Sequence, residues 1–511
     1  MVTRISNWSC EQLEESLLPV KGNGIQKIAT YAYHFFKFLV MLPIAATTSL
    51  LSFLVNLCSK KPVDSPLVDF AKHPKWSDPV HAAPVDIGFA SADFQENGPK
   101  IHSETNWGKF YEKNGNAVGQ FPDIWNHPER LIDRLNDLGV KKYRFSVSRD
   151  KLEPVLGGPL DPLAVQHYRN FIRQLRQNGI EPMATLSHFS DPTYFSWDRA
   201  EDVAGFVNFS AAVSEVLHEE GVRKIITINE PTVEAFQRKV MGEFPPNDKL
   251  DFEGAGRILE NMMNAHTQVY NRLKAAHPDF EIGFSHDPIR FRHYHKVNPL
   301  WTPIEKIICH YLSELNHGAL MRYMQTGKFN LKVPFGTNYE FGNGTPPPLD
   351  FIGVQYYTDP LLKISFTGGG SVTRNPEEKK TSYDYRLYPQ GLASVLDEFR
   401  TLKNPQGEPI PIDLTEIGID IGVNTDATDK ERIAYYDKVF QVVGKALENG
   451  VNVRSLHFWT LIDSAEWYKV WKVRFGFCDF NPETGVVTER PAYRWIKDKV
   501  AARNGAAAAA I

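Results

Sequence analysis

Two glutamates stand where a strand stops. Ile225-Ile226-Thr227-Ile228 puts four β-branched residues in a row, a run that favours extended chain, and it leads into Asn229-Glu230-Pro231. Pro231 has no amide hydrogen to give to a ladder, so the strand ends there. Far along the chain, Pro411-Ile412-Asp413-Leu414-Thr415-Glu416-Ile417-Gly418 again runs a strand into a carboxylate. Either glutamate alone reads equally well as a turn. Together they predict a carboxylate pair facing one cavity, and such a pair can move protons.

Strand ends this far apart meet in an α/β fold, a (β/α)8 barrel, whose chemistry sits at the carboxyl ends of its strands. The chain has 511 residues, room for one such barrel with long βα loops. Residues 164–178, 206–219 and 258–275 have helical spacing. Between and after them, 180–186, 280–285, 351–357 and 451–459 read as strands, with 322–329 as helix and the glycine-rich 335–348 as loop. The net charge of −4 carries no footprint of a nucleic-acid partner. The four cysteines, Cys10, Cys58, Cys309 and Cys478, are scattered without metal or disulfide spacing, which favours a reducing compartment.

The first 61 residues read as an extension. Residues 38–58 carry no charge, with Lys37 before them and Lys60 and Lys61 after, a length and composition that fit a bilayer span. The expectation is a membrane-spanning or membrane-associated helix, with a helix docked on the barrel as the alternative. Residues 62–84 read as a linker, 85–498 as the barrel and 499–511 as a tail.

Asn229-Glu230-Pro231 after one strand, and Thr415-Glu416-Ile417-Gly418 after another, resemble the two signatures of glycoside hydrolase family 1, the retaining β-glucosidases and β-galactosidases. The resemblance runs over roughly residues 85–498, with its motifs in family order. It implies that Glu230 is the general acid/base and Glu416 the nucleophile of a covalent mechanism. In Asp93-Phe94-Gln95-Glu96-Asn97-Gly98 it makes Gln95 a sugar ligand, with Trp107 mainly structural. In Lys142-Tyr143-Arg144-Phe145-Ser146 it turns Arg144 inward to hold Glu416 charged. It makes His188 of Ser187-His188-Phe189 and Asn229 hydroxyl ligands, and Tyr357 a donor to the nucleophile. His286 falls at the approximate place of a family asparagine. In the stretch from Trp459 to Trp467, Trp459 becomes the floor under the sugar, Glu466 a bidentate hydroxyl acceptor and Trp467 the far wall.

Glu466 would repel a phosphate, so the implied substrate is an unphosphorylated β-D-glucoside or β-D-galactoside. The mechanism needs a high pKa on Glu230 and a low one on Glu416. It requires no metal and no organic cofactor. The implied partner is a small glycoside or a glycolipid, and the implied location is the cytoplasm or the cytoplasmic side of a membrane. Arg149, Phe189, Gln355, Ile417 and Ser464 depart from the family pattern, and Arg149 raises the question of the pocket rim. A transglycosylase on glycolipids and an inactive sugar-binding protein are the alternatives on the same barrel. Glycone identity and oligomeric state stay open.

Overall fold

The computed structural model describes residues 85–509, apart from the stretches 115–118, 334–337, 366–368, 405, 423–424 and 426. Eight strands close into a barrel: β1 (Asp86–Ala90), β2 (Lys142–Ser146), β3 (Glu181–Thr185), β4 (Lys224–Asn229), β5 (Glu281–His286), β6 (Ile352–Tyr356), β7 (Ile412–Ile417) and β8 (Val453–Trp459). Each pairs in parallel with its neighbours, and β8 pairs back onto β1. Helices cover the outside. In Pro162–Gln177, the buried Ala164, Tyr168, Phe171, Ile172 and Leu175 form one apolar stripe. Asp161 caps that helix by accepting from the amides of Leu163 and Ala164, and Pro162 opens it.

The amino end of the barrel is plugged by charge. Lys224 Nζ and Arg454 Nη2 donate to Asp413 Oδ2 at 2.8 and 2.9 Å, and Ser455 Oγ donates to Oδ1 at 2.7 Å. Burial works against the charged form of Asp413, yet Lys224 and Arg454 still hold its carboxyl below the usual range. At the opposite end, the register slips beside both strand-end glutamates: between Ile226 and Asn229 on β4, and between Leu414 and Glu416 on β7. Such slips re-aim side chains at a barrel rim.

Two expectations change. The region between β5 and β6 contains a helix Trp301–Ser313 that passes through a π-type turn, Glu314–Gly318, into Ala319–Thr326, followed by a hairpin of Phe329–Lys332 and Asn338–Phe341. Part of the expected loop 335–348 is therefore a strand. The expected tail 499–511 is not separate, since the last helix runs Pro491–Ala509. Alanine is the best helix former, so the alanine run extends the helix. Arg503 Nη2 also ties it to Asp86 Oδ1 at the start of β1, at 2.9 Å. The extension, its segment 38–58 and the linker lie outside the described residues. Among those described, no helix is long and apolar enough to cross a membrane.

Arg149 is buried away from the cavity that the strand-end carboxylates share. Its Nε donates to Glu153 Oε2 at 2.8 Å, and its guanidinium stands over the rings of Phe195 and Phe209 at 4.6 and 5.1 Å. The departure at Arg149 is thus a substitution in an aromatic cage, not in the cavity wall. Removing one partner of a buried pair costs about 3 kcal/mol. Arg149→Ala should lower the melting temperature in calorimetry and leave the KM for a small glycoside unchanged; an unaltered melting temperature would show that the pair contributes nothing.

Candidate active site

Glu416, near the end of β7, is held from three sides. Arg144 Nη1 and Gln355 Nε2 donate to its Oε1 at 2.5 and 2.7 Å, and the Tyr357 hydroxyl donates to Oε2 at 2.5 Å. Arg144 lies at the middle of β2, fully buried, and also donates from Nε to Thr185 Oγ1 and from Nη2 to Asn229 Oδ1. Asn229 Oδ1 takes two further bonds, from Gln355 Nε2 and Ser285 Oγ, both at 2.8 Å. With its oxygen fully used, the Asn229 amide group Nδ2 has no partner among the described residues. Gln355 stands where the family pattern has a shorter amide, and its added reach bridges Asn229 and Glu416.

Glu230 differs in every respect. It follows β4 directly and caps the helix Pro231–Phe236 with φ of 42°, in the left-handed region. A side chain with a Cβ sits there at a cost of about 1 kcal/mol or more, and such residues cluster at functional sites. The backbone is pinned by Glu230 N donating to Ser285 O and by Glu234 N donating to Glu230 O. The Glu230 carboxyl has no hydrogen-bond partner among the described residues. Burial pushes its pKa well above the ordinary value, and the charge on Glu416 pushes it further. Burial raises Glu416 too, but Arg144 and Tyr357 pull it back. The expected low pKa of Glu416 is therefore corrected to a difference between two raised groups, with Glu416 losing its proton first.

Both carboxyls line one cavity, open to solvent. Gln95, His188, Asn229, Tyr357, Trp459, Glu466 and Trp467 line it as well. Gln95 Nε2 donates to Glu466 Oε2 at 2.9 Å and to Ala465 O at 3.0 Å, while its Oε1 is without a partner among the described residues. His188 packs against Trp459 and Trp467 at 6.0 and 6.2 Å between ring centroids, and its Nδ1 is likewise unpaired. Burial and the nearby Arg144 hold His188 neutral. Burial pushes Glu466 up to about 8. Buried polar atoms are normally satisfied, so Gln95 Oε1, His188 Nδ1 and Asn229 Nδ2 are left with hydrogen-bonding capacity that a polar ligand could take up. Phe189, at the place of a family tryptophan, packs on Trp467 and Phe244, both at 5.2 Å, with φ of 63°. Trp107 is fully buried behind Trp467, 4.9 Å away.

The matching model is that of Glycosyl hydrolase family 1, over residues 90–506. The chain belongs to that family. It is accordingly a glycosidase, built on the family's barrel. The 6-phospho-beta-galactosidase of Clostridium acetobutylicum is 26% identical over 472 residues, covering 80% of this chain and 95% of that protein. Beta-glucosidase A of Thermotoga maritima is 25% identical over 437 residues, 79% of this chain and 94% of that protein. Among solved structures, a beta-glycosidase from Pyrococcus horikoshii matches with a TM-score of 0.69 at 22% identity, covering 82% of this chain and 96% of its own.

Sequence reasoning placed His286 at the family asparagine, and the structure corrects this. His286 Nε2 pairs with His317 Nδ1 at 3.0 Å, outside the cavity. Asp287 lines the cavity instead. The signal was the alternation of β5. Ser285 Oγ reaches Asn229 inside the barrel, so His286 must point outward and Asp287 inward. Gln237, Tyr383, Tyr385 and Tyr468 also line the cavity without having been foreseen. Of groups able to hold a metal, His218, His277 and Asp279 approach one another on the surface, where Asp279 is already engaged by His218 and Arg223.

Proposed function

We propose that this glycosidase hydrolyses terminal, unphosphorylated β-D-glucosides or β-D-galactosides with retention, through a covalent glycosyl-enzyme. The observation that carries the reading is the asymmetry of the two carboxyls. Glu416 accepts three donors that hold it ionised and aimed, as a nucleophile needs. Glu230 accepts none from the described residues and keeps its proton, as a general acid needs. Glu416 attacks the anomeric carbon while Glu230 protonates the departing oxygen. Glu230 then takes a proton from the entering water, whose oxygen releases the sugar from Glu416. Asn229 Nδ2 donates to the 2-hydroxyl, a contact that strengthens in the transition state. Gln95, His188 and Glu466 hold the remaining hydroxyls, with Trp459 as floor and Trp467 as wall. Arg144 and Tyr357 position the nucleophile.

Two of the relatives bear the name 6-phospho-beta-galactosidase. For this chain the unphosphorylated glycone is favoured by the lining of the cavity, which among the described residues includes Glu466 and no lysine or arginine. Lys469 stands over the rings of Tyr468 and Tyr383 instead. An aryl β-galactoside should be cleaved with kcat/KM at least about 100-fold above its 6-phosphate, the scale of a phosphate charge buried with no cation to pair it. A preference for the phosphate would overturn this part of the reading.

NMR of the first-formed sugar tests the mechanism. The β-anomer is expected, and an initial α-anomer would exclude retention. The same tube, supplied with a lipid-linked sugar, separates hydrolysis from transfer by its products. The uncharged run 38–58 favours including that substrate.

The pH profile follows from the two raised carboxyls. Activity needs Glu416 ionised and Glu230 protonated, so kcat/KM is bell-shaped, with the acid limb set by Glu416 and the alkaline limb by Glu230. Tyr357 lowers the Glu416 pKa. Tyr357→Phe removes that donor, leaves less Glu416 ionised at a given acidic pH, and should move the acid limb to higher pH. Movement of the alkaline limb alone would contradict the assignment.

A further inference from the structure

A cluster of imidazoles and carboxylates stands by the amino ends of β4 and β5, the end of the barrel away from the cavity. His218 lies in the last turn of the helix Asp202–Glu219, with Glu215 one turn before it. His277 caps the carboxyl end of the helix Phe252–Ala276, and Asp279 follows in the turn that enters β5. The two imidazoles stack, with centroids 3.8 Å apart and planes tilted by 19°. Nε2 of each faces a carboxylate. His218 Nε2 lies 3.0 Å from Asp279 Oδ1, and His277 Nε2 lies 2.8 Å from Glu215 Oε2. One ligand atom each from His218, His277 and Asp279 lies within 4.8 Å of the other two. None of these groups takes part in the glycosidase chemistry.

We propose that His218, His277 and Asp279, with Glu215 beside them, bind a zinc-class divalent ion that clasps the end of one helix to the turn after the other. Imidazoles paired with carboxylates suit zinc, whereas magnesium and calcium call for oxygen ligands alone. Two nitrogens and two carboxylates can fill four tetrahedral positions. The proton of a neutral imidazole can sit on Nδ1, which leaves each Nε2 lone pair for the ion. The hydrogen bond from His218 and the charge of Arg223 hold the Asp279 carboxyl below its ordinary range, so it is an anion. Zinc bonds of about 2.0–2.1 Å put neighbouring ligand atoms about 3.3 Å apart, so the cluster must tighten. Asp279 and Glu215 are about half exposed, and rotation of their side chains supplies the movement. The surroundings keep the ligands within reach. Phe280, fully buried, packs edge-on against both imidazoles, at 5.2 and 5.6 Å between centroids. Arg223 Nε holds Asp279 Oδ2 at 2.7 Å and leaves Oδ1 turned to His218, while Arg223 Nη1 donates to the His218 carbonyl at 2.8 Å. Such outer contacts orient metal ligands. Glu215 and His277 also line a surface groove between the two helices, which gives an ion its entry.

The test uses the untagged full chain, stripped with a chelator, and titrates zinc in calorimetry against excess magnesium. Wild type should bind one zinc more than the double variant His218→Ala/His277→Ala. Loss of an outer contact costs a metal site about 10–100-fold in affinity, and loss of a ligand should cost at least as much. His218→Ala and His277→Ala should therefore each weaken this zinc by about 100-fold or more. Asp279→Asn, which keeps the shape of the side chain, should weaken it as well. Cobalt in place of zinc should give the visible bands of a four-coordinate site, absent from the double variant. The ligands come together only in the folded chain, so saturating zinc should raise the melting temperature of wild type by about 2–4 °C and leave the double variant where it was. Equal zinc binding by wild type and the folded double variant would overturn the site. So would displacement of the zinc by magnesium, or zinc binding that leaves the wild-type melting temperature unchanged.

Discussion

Glu416→Ala should lose activity on every β-glycoside by roughly 10⁵-fold, the scale seen when a covalent nucleophile is deleted. No glycosyl-enzyme can form without it, so the loss should not depend on the leaving group. Azide, entering the space that the carboxylate vacates, should restore turnover and give the α-glycosyl azide, inverted relative to substrate. The deletion also strips Arg144 of its carboxylate. Arg144 is fully buried and is left with Thr185, Asn229, Ser285 and the Thr415 carbonyl. A buried charge left unpaired costs about 3–5 kcal/mol, so the melting temperature should fall as well. Glu416→Gln keeps an oxygen for Arg144 and should melt closer to wild type while remaining inactive. A folded Glu416→Gln protein with wild-type kcat would remove Glu416 from the nucleophile's role.

Glu230→Ala should behave differently because what it loses is a proton. The penalty should be about 10²–10⁴-fold on a poor leaving group, the usual range for general acid–base catalysis. On a dinitrophenyl glycoside, which needs no proton to depart, the glycosyl-enzyme should still form. Its breakdown lacks a base, so a burst of phenolate should precede a slow steady state. Azide needs no base and should speed that second step, giving the β-glycosyl azide with retention. The carboxyl of Glu230 has no partner among the described residues to abandon, so this variant should fold with near wild-type stability. Wild-type rates on a poor leaving group would exclude Glu230 as the acid. A retained azide product from Glu416→Ala, with an inverted one from Glu230→Ala, would mean that the roles are exchanged.

Some of this is legible in the linear chain. β-Branched runs closed by Pro231 or by a carboxylate mark strand ends locally, because proline chemistry and strand propensity act within a few residues. The helix Pro162–Gln177 is legible for the same reason, from its cap and its stripe. Where local signals conflict, the reading slips. Residues 335–348 are rich in glycine and proline, yet Asn338–Phe341 is drawn into a hairpin by its partner strand Phe329–Lys332. His286 and Asp287 are adjacent, and a shift of one position exchanges the inside of the barrel for the outside.

The sequence by itself determined the strand-helix alternation and the two strand-end glutamates, since these depend on propensity and period alone. Tertiary structure decided what each glutamate can do. Glu416 and Glu230 are the same side chain, and apart from the family resemblance of their flanking motifs no local propensity tells a nucleophile from an acid. The difference comes from Arg144 on β2, Gln355 on β6 and Tyr357 just beyond it, which closure of the barrel brings onto Glu416 and not onto Glu230. Burial raises both carboxyls; the donors delivered by distant strands pull Glu416 back, while the charge on Glu416 raises Glu230 further. Closure likewise left Gln95 Oε1, His188 Nδ1 and Asn229 Nδ2 at the same cavity without partners among the described residues. Whether a polar group has a partner depends on every strand around it, so it is a property of the folded barrel and of no local stretch of the chain.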